Sequence, residues 1–295
     1  MNRQKSNIGI SVIIPAYNEE ESIIGVITKI RDNLKIIDGS CEIIVVNDGS
    51  TDNTGKVLET SKMNIKLLTH ERNVGYGAAL KTGIKNAEYE NIVITDADGT
   101  YPNERILDLV HTLEEGGFDM VVGARTGKNA KIPLVRRPAK WVITKLANYL
   151  SGTKIPDLNS GLRVMRKEVV NKFMNILPDG FSFTSTITLA LLTNGYSVKY
   201  VPIDYFKRKG KSKIRPIYDT FNFIQLIIRT VLYFNPLKVF FPLSLFLVLI
   251  AFLILIVSLL LTVKGMDVTF GVILMTAVIV ITIGMLADLI DKRMK

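Results

Sequence analysis

Short apolar runs alternate with helical patterns along the first 125 residues. The apolar runs, rich in β-branched residues, are GISVIIP (9–15), EIIVVN (42–47), NIKLLT (64–69), NIVIT (91–95) and DMVVGA (119–124). Helical patterns lie between them at 19–36, 51–61, 75–88 and 103–115. Apolar strands joined by helices are typical of a parallel sheet covered on both faces. The pattern therefore predicts an α/β domain with a mostly parallel central sheet.

The pattern is less regular beyond residue 125. A loop is expected at 126–135, helices at 138–150, 167–176 and 182–194, and a further strand at YSVKYVPI (196–203). Residues 214–236 carry apolar side chains at helical spacing, with charged residues among them. This spacing predicts a helix at a membrane surface, and a helix packed on the core is the alternative. The domain boundary is accordingly predicted at residue 213.

Two long uncharged runs follow in the predicted C-terminal segment 237–295. They extend over about 239–263 and 268–287, with Lys264 and Asp267 between them. Each run is long enough to cross roughly 30 Å of hydrocarbon as a helix. A membrane hairpin is therefore predicted, and two buried core helices are the alternative.

Basic residues flank this hairpin on its outer sides. Arg229 and Lys238 precede the first run, while Lys292, Arg293 and Lys295 follow the second. Because basic residues favour the cytoplasmic side, both termini and the soluble domain are expected there. No cleaved secretory signal is expected at the N-terminus.

Charge and cysteine content narrow the classes of function. The chain of 295 residues has a formal net charge of +10, concentrated in clusters at 125–145 and 207–215. Nucleic acid is one partner for such clusters, but a membrane anchor favours anionic headgroups and phosphate-bearing substrates. Nucleic acid is therefore not expected as a partner.

One cysteine and two histidines exclude a disulfide framework and a cysteine metal cluster, and they disfavour a histidine-rich metal site.

Polar residues follow three of the predicted strands, at 16–19, 47–50 and 96–98. Ligands of such sheets bind beyond the carboxyl ends of the strands, so these residues are expected to share one crevice. Asp96 and Asp98 supply the carboxylate oxygens that Mg2+ or Mn2+ prefers. One alternative is an aspartate-nucleophile phosphatase, but no suitable second acidic pair is visible and the pair comes after the fourth strand instead of the first. A solvated turn is the other alternative.

The wider set of motifs decides between these chemistries. SVIIPAYNEE (11–20), VVNDGSTD (45–52), NVGYGAALKTG (73–83), DADGTYP (96–102) and GAR (123–125) occur in this order. The series resembles the inverting family 2 glycosyltransferases of the GT-A fold over about the first 215 residues. DLNSGLRVMRK (157–167) and RKGKSK (208–213) are similar to motifs of the polyprenyl-phosphate sugar transferases. Two trailing membrane helices match the bacterial, tetrameric branch of that group best.

The resemblance implies a donor side that holds the nucleotide and the metal ion. Asp96 and Asp98 would hold the metal. The expected nucleotide contacts are Pro15, Tyr17, Asn18, Glu19, Asp48, Lys81, Asp96, Ala97 and Asp98. Alternatives remain for some of them: Asn18 would also suit a helix cap, and Lys81 would also suit a solvated surface. Asn47 stands where the family more usually has an aspartate.

The resemblance also implies an acceptor side. Arg125 would contact the acceptor phosphate, and Asp98, Arg125 and Asp157 are the candidate catalytic residues. Lys140, Thr144 and Arg163 are expected to join Arg125, although an ion pair between Asp157 and Arg163 is the alternative. Arg208, Ser212 and Lys213 would close over the diphosphate as a lid, and a solvated, lipid-attracted loop is the alternative.

These roles predict direct, inverting sugar transfer from a nucleotide sugar to a polyprenyl phosphate. UDP-glucose and UDP-N-acetylglucosamine are the favoured donors, and transfer from GDP-mannose to dolichyl phosphate is the alternative. A processive polysaccharide synthase is disfavoured because the chain has no Q-x-x-R-W signature. A non-catalytic nucleotide-binding scaffold is the hypothesis from another class. A homo-oligomer is expected, as is a separate flippase acting downstream.

Overall fold

A seven-stranded sheet lies at the centre of the soluble part of the chain in this computed structural model. The structure describes residues 9–35, 40–127, 144–149, 151–206, 225, 228, 232–233, 235–261 and 266–294. The strands are β1 Ile10–Ala16, β2 Cys41–Asn47, β3 Lys66–Thr69, β4 Asn91–Ile94, β5 Met120–Ala124, β6 Arg163–Arg166 and β7 Val198–Pro202. The helices are α1 Ile23–Leu34, α2 Thr54–Thr60, α3 Tyr76–Lys85, α4 Ile106–Gly116, α5 Lys167–Phe173, α6 Phe183–Thr193, α7 Leu237–Leu261 and α8 Met266–Met294.

The strand order is β3-β2-β1-β4-β6-β5-β7. The pairs β1–β2, β1–β4, β2–β3 and β5–β7 are parallel, whereas β6 is antiparallel to both β4 and β5. The prediction of a mostly parallel sheet is therefore confirmed. The sequence pattern does not predict β6, because its four residues, RVMR, begin and end with arginine. With a charged residue at each end, the segment lacks the apolar pattern of a strand in the middle of a sheet.

Alternate side chains of each central strand point to opposite faces of the sheet. On one face Val12 and Ile14 pack against α1 and α4. On the other face Ile13 packs with residues of α3, α5 and α6. Each fully buried Ile contributes roughly 1.5–3 kcal/mol by leaving water, so both layers stabilise the sheet. Because β1, β2 and β4 are parallel, their carboxyl ends lie at one edge of the sheet.

Two long apolar helices follow the sheet domain. Leu237–Leu260 and Val268–Ile290 are each long and apolar enough to cross a membrane. Within this pair, the Ser244 hydroxyl donates a hydrogen bond of 2.9 Å to the Ala277 carbonyl oxygen. The predicted pair of C-terminal apolar helices is therefore confirmed. Of the segment 214–236, only residues 225, 228, 232–233, 235 and 236 are described, so the predicted surface helix lies largely outside the described residues.

Candidate active site

The turn after β1 is held to the turn after β2. Asn18 has a positive φ of 56°, and its side chain exchanges hydrogen bonds with Thr51: Nδ2 to Oγ1 at 3.1 Å, and the Thr51 N–H to Oδ1 at 2.8 Å. Tyr17 and Glu19 are half-buried on either side. Pro15 is buried inside β1, paired with Val46. The two strand ends therefore meet, as the pattern predicts.

Helix α1 begins later than the sequence pattern indicates. Its first residue is Ile23, with Ser22 at the preceding position. The Ser22 hydroxyl donates to the Glu19 carboxylate at 3.0 Å. The alternative that Asn18 caps this helix is therefore wrong. Asn18 belongs instead to the turn that joins the two strand ends.

Asp48 follows β2 and is buried. Its Oδ1 accepts a hydrogen bond of 3.0 Å from the Val74 N–H, and its Oδ2 accepts one of 2.9 Å from the Gly75 N–H. The Nδ1 atom of His70 lies 2.7 Å from the same Oδ1, and its Nε2 lies 2.9 Å from the Thr82 hydroxyl. Asp48 thus fixes the loop that leads into α3. Its contact with base or ribose stays a prediction.

Glycines at the start of α3 allow a close approach of the backbone of residues 178–180. Gly75 has a φ of 121°, and a Cβ there or at Gly77 would collide with the backbone of residues 178–180. The Ala78 N–H donates to the Asp179 carbonyl oxygen at 3.0 Å. The Lys81 ammonium lies 2.8 Å from the Asp179 carboxylate, so its predicted contact with the nucleotide would compete with this ion pair.

We expect Gly77→Ala to destabilise the protein by about 1–3 kcal/mol, because the added methyl group meets the Pro178 carbonyl oxygen, which is backbone and cannot rotate away. Gly25→Ala is the matched control. A Cβ at Gly25 meets nothing within 4 Å, so in α1 the change is expected to stabilise by up to about 1 kcal/mol. Thermal unfolding in detergent measures both. Equal shifts of the two melting temperatures would contradict this prediction.

The two carboxylates of DADGTYP are each oriented by a hydroxyl group. The Asp98 Oδ1 accepts hydrogen bonds from the Thr100 hydroxyl at 2.6 Å and the Thr100 N–H at 3.1 Å. The Asp96 Oδ1 accepts one of 3.0 Å from the Tyr76 hydroxyl. Burial, and then Asp96, raise the pKa of Tyr76 well above its ordinary value, so this hydroxyl stays protonated and donates. Ala97 is buried between the two carboxylates.

Arg125 and Asp157 form a bidentate ion pair beside this loop. The guanidinium Nε and Nη2 donate to Asp157 at 2.7 Å and 2.9 Å, and the Arg125 backbone N–H donates to the same carboxylate at 3.0 Å. The Asp157 side chain is 2% exposed and that of Arg125 is 24% exposed. Among the described residues, Asp157 engages two of the five guanidinium N–H donors of Arg125.

Two tyrosines border this ion pair. The Arg125 guanidinium carbon lies 5.2 Å from the centroid of the Tyr205 ring. Tyr101 meets Tyr205 edge to face, with centroids 5.4 Å apart, and its hydroxyl accepts a hydrogen bond of 2.6 Å from the Gly161 N–H. Burial lowers the pKa of Arg125, but Tyr101 and Asp157 raise it more, so the guanidinium stays charged.

Arg163 does not lie on the acceptor side. Its side chain is fully buried, and its donors contact the Ser160 carbonyl oxygen, the Thr184 carbonyl oxygen at 2.9 Å and the Thr188 hydroxyl at 3.0 Å. The prediction that Arg163 contacts an acceptor phosphate is wrong in this structure, because the group has no exposed surface. The direct ion pair of Asp157 is with Arg125, and Asp157 acts on Arg163 through an electrostatic attraction that raises the Arg163 pKa less than burial lowers it. Arg163 instead ties β6 to α6.

The remaining predicted contacts have mixed outcomes. Thr144 begins a described helical stretch, 144–149, and is half-buried. Ala147 of that stretch packs with Ile155 and Leu158, close in sequence to Asp157. Lys140 and the predicted lid residues Arg208, Ser212 and Lys213 lie outside the described residues.

Several residues that shape the site were not predicted from the sequence. They are His70, which contacts Asp48; Tyr76, which contacts Asp96; and the pair Tyr101 and Tyr205. Tyr76 and Tyr101 lie inside quoted motifs, so their position was visible but their role was not. The contacts of Tyr205 join residues 80 or more positions apart, which no local pattern signals.

Known proteins resemble the chain at the levels of sequence and fold. Residues 11–174 match the family model described as Glycosyl transferase family 2. A dolichyl-phosphate hexose transferase of Haloferax volcanii is 32% identical over 211 residues, which are 70% of this chain and 87% of that protein. An undecaprenyl-phosphate 4-deoxy-4-formamido-L-arabinose transferase of Proteus mirabilis is 32% identical over 169 residues, 56% of this chain and 51% of that protein. The chain thus matches only about half the length of the latter.

A solved structure shares the fold. It is glucosyl-3-phosphoglycerate synthase from Mycobacterium tuberculosis, in complex with Mn2+, uridine diphosphate and phosphoglyceric acid. The TM-score is 0.60 at 20% sequence identity, covering 77% of this chain and 80% of that one. The predicted GT-A fold is confirmed by this likeness.

Proposed function

Because the chain belongs to glycosyl transferase family 2, we propose that it transfers one monosaccharide from a nucleotide sugar to a polyprenyl phosphate at the cytoplasmic face of a membrane. The relatives named above support this class of acceptor, since one acts with dolichyl phosphate and the other with undecaprenyl phosphate by name. UDP-glucose and UDP-N-acetylglucosamine are the favoured donors. Transfer from GDP-mannose is the alternative.

One observation carries this proposal: the ion pair of Arg125 and Asp157 lies next in sequence to an apolar cluster against which the first long apolar helix packs. Leu158 follows Asp157 and is buried in a cluster with Ala147, Ile155 and Leu189. Val239, in the first turn of α7, packs against the same cluster. A phosphate on a lipid cannot leave the bilayer surface. This link between the ion pair and the start of a helix that could span a membrane supports a site that receives a lipid phosphate.

The carboxylates at the end of β4 suit a divalent cation. Asp96 and Asp98 offer hard oxygen ligands, which Mg2+ and Mn2+ prefer. In the described part of the chain no group of three or more His, Cys, Asp or Glu residues is placed to hold a metal ion. A pair of carboxylates fits an ion that shares its other positions with water and a diphosphate. When bound, such an ion would neutralise charge on the departing nucleoside diphosphate.

The acceptor explains why the site needs cations more than a general base. A phosphate monoester has its second pKa near 6, so at neutral pH it is largely a dianion and already nucleophilic. Arg125 offers N–H donors that Asp157 does not occupy, and these would orient the phosphate and offset repulsion from the donor diphosphate. Positioning and electrostatic stabilisation then supply most of the rate. We propose direct displacement with inversion at the anomeric carbon.

Several parts of the assembly belong to the same proposal. Both termini would lie in the cytoplasm, with α7 and α8 crossing the membrane as a hairpin. The chain would act as a homo-oligomer, and a separate flippase would move the product lipid. Lys140, Arg208, Ser212 and Lys213 are proposed to add positive charge around the two phosphates.

A donor panel tests the function. Purified protein is incubated with a short polyprenyl phosphate, Mg2+ or Mn2+ and radiolabelled UDP-glucose, UDP-N-acetylglucosamine or GDP-mannose. We expect one donor to transfer label into the organic phase, and omission of acceptor or addition of a chelator to prevent it. Label that appears only in a water-soluble product would exclude the lipid acceptor. No turnover with any donor would favour the non-catalytic scaffold.

A further inference from the structure

Tyr205 joins the two halves of the site. It follows β7 by three residues and is half-buried against the core face formed by α1 and α4. Its ring contacts Arg125 of the ion pair and Tyr101 of the carboxylate loop. No motif singled it out in the sequence, and the mechanism above does not use it.

Two contacts hold the Arg125 guanidinium group, one along an edge of its plane and one against a face of its plane. Asp157 binds the edge formed by Nε and Nη2, and the Tyr205 ring lies 5.2 Å from the guanidinium carbon. An aromatic face attracts a guanidinium and restricts its tilt. The ion pair with Asp157 alone does not fix the tilt of the guanidinium plane. The ring therefore fixes the direction of the donors that Asp157 leaves for an anion.

Tyr101 connects this ring to the carboxylates. It lies three residues after Asp98, and its hydroxyl accepts the Gly161 N–H at 2.6 Å. A Cβ at Gly161 would lie 2.7 Å from the Asp96 Oδ1, so the backbone here borders that carboxylate. The Phe206 N–H donates to the Thr100 carbonyl oxygen at 2.9 Å. The segment that carries Tyr205 is thus hydrogen-bonded to the loop that carries Asp98.

We propose that Tyr205 is a positioning residue for the acceptor phosphate, which it serves by holding the Arg125 guanidinium in the orientation that receives the anion. This inference rests on the proposed function, because the anion is taken to be the phosphate of the lipid. Tyr205 acts through its ring face, and Tyr101 keeps that ring aligned with the carboxylate loop.

The same chain contains a matched control away from the site. Tyr196 is half-buried, meets Phe173 edge to face at 5.7 Å, and has the Lys172 ammonium 5.6 Å from its ring centroid. This trio repeats the arrangement of Tyr205, Tyr101 and Arg125 on the opposite core face. Tyr196→Leu removes an equivalent ring and cation contact without touching the site. It therefore measures the general cost of losing such a ring.

The test compares Tyr205→Leu, Tyr205→Phe and Tyr196→Leu in the full-length protein. We expect Tyr205→Leu to raise KM for the short polyprenyl phosphate about tenfold, with KM for the nucleotide sugar changed less than about twofold. Tyr205→Phe keeps the ring and is expected to restore the acceptor KM to within about threefold of wild type. Tyr196→Leu is expected to leave both KM values within about twofold.

Three results would overturn the inference: an unchanged acceptor KM in Tyr205→Leu, an equal rise of donor and acceptor KM, or a Tyr205→Phe variant as impaired as Tyr205→Leu. A second measurement applies even if no lipid acceptor is used at all. Phenylglyoxal modification of Arg125, followed by peptide mass spectrometry, is expected to be several-fold faster in Tyr205→Leu than in Tyr196→Leu. Equal rates would show that Tyr205 does not hold the guanidinium.

Failure of transfer by the wild-type protein would instead contradict the proposed function.

Discussion

Asp98→Ala is expected to abolish sugar transfer, with kcat lowered by about three orders of magnitude or more. Asp98 follows β4, whose carboxyl end lies at the same edge of the sheet as those of β1 and β2, and with Asp96 it forms the carboxylate pair that fits a divalent cation. Removal of one carboxylate leaves too little negative charge to hold that cation against a diphosphate. The loss is measured as kcat at saturating donor, together with Mn2+ binding in the presence of uridine diphosphate.

The Asp98→Asn variant distinguishes the effect of losing the negative charge from the effect of losing the folded turn. The Asp98 Oδ1 accepts two hydrogen bonds from Thr100, and an asparagine oxygen can accept both. The turn should therefore persist while the charge is lost, so Asp98→Asn is expected to unfold like the wild type but to transfer no sugar. Asp108→Asn is the surface control, since that carboxylate is 61% exposed and pairs only with Arg105. An Asp98→Asn protein that retained more than a tenth of the activity would remove the metal assignment.

The sequence predicted those parts of the site that depend on residues near one another in the chain. The strand ends, the carboxylate pair and the family motifs are local patterns, and they are found at one edge of the sheet. Asp157 and Arg125 were both identified, yet their bond was not, because 32 residues separate them. Tyr205 and His70 carry no motif, and only the folded chain shows what they contact.

Arg163 shows a second reason why part of the site could not be predicted from the sequence. In the sequence it is the arginine of a family-like motif, and an arginine near a phosphate site suggests a ligand contact. In the structure β6 inserts between β4 and β5, so its first residue points into the core. Burial lowers the pKa of Arg163, and carbonyl and hydroxyl oxygens satisfy its donors. The short charged segment gave no sign of a central strand, so its burial could not be predicted.

Breaking the ion pair between Arg125 and Asp157 should impair both stability and transfer, and a double-mutant cycle separates the two effects. Removing one member leaves the other poorly solvated and unpaired, so Arg125→Met and Asp157→Leu are each expected to destabilise the protein by roughly 3–5 kcal/mol.

The double variant Arg125→Met with Asp157→Leu replaces both charges by apolar groups. We expect it to recover much of the lost stability, because a buried ion pair contributes little relative to a packed apolar pair. Transfer should stay more than a hundredfold below wild type, because the lipid phosphate then has no guanidinium to meet. Thermal unfolding and kcat/KM for the acceptor measure the two effects. If transfer recovered together with stability, Arg125 would be a structural residue, and the acceptor phosphate would have to be bound by other cations.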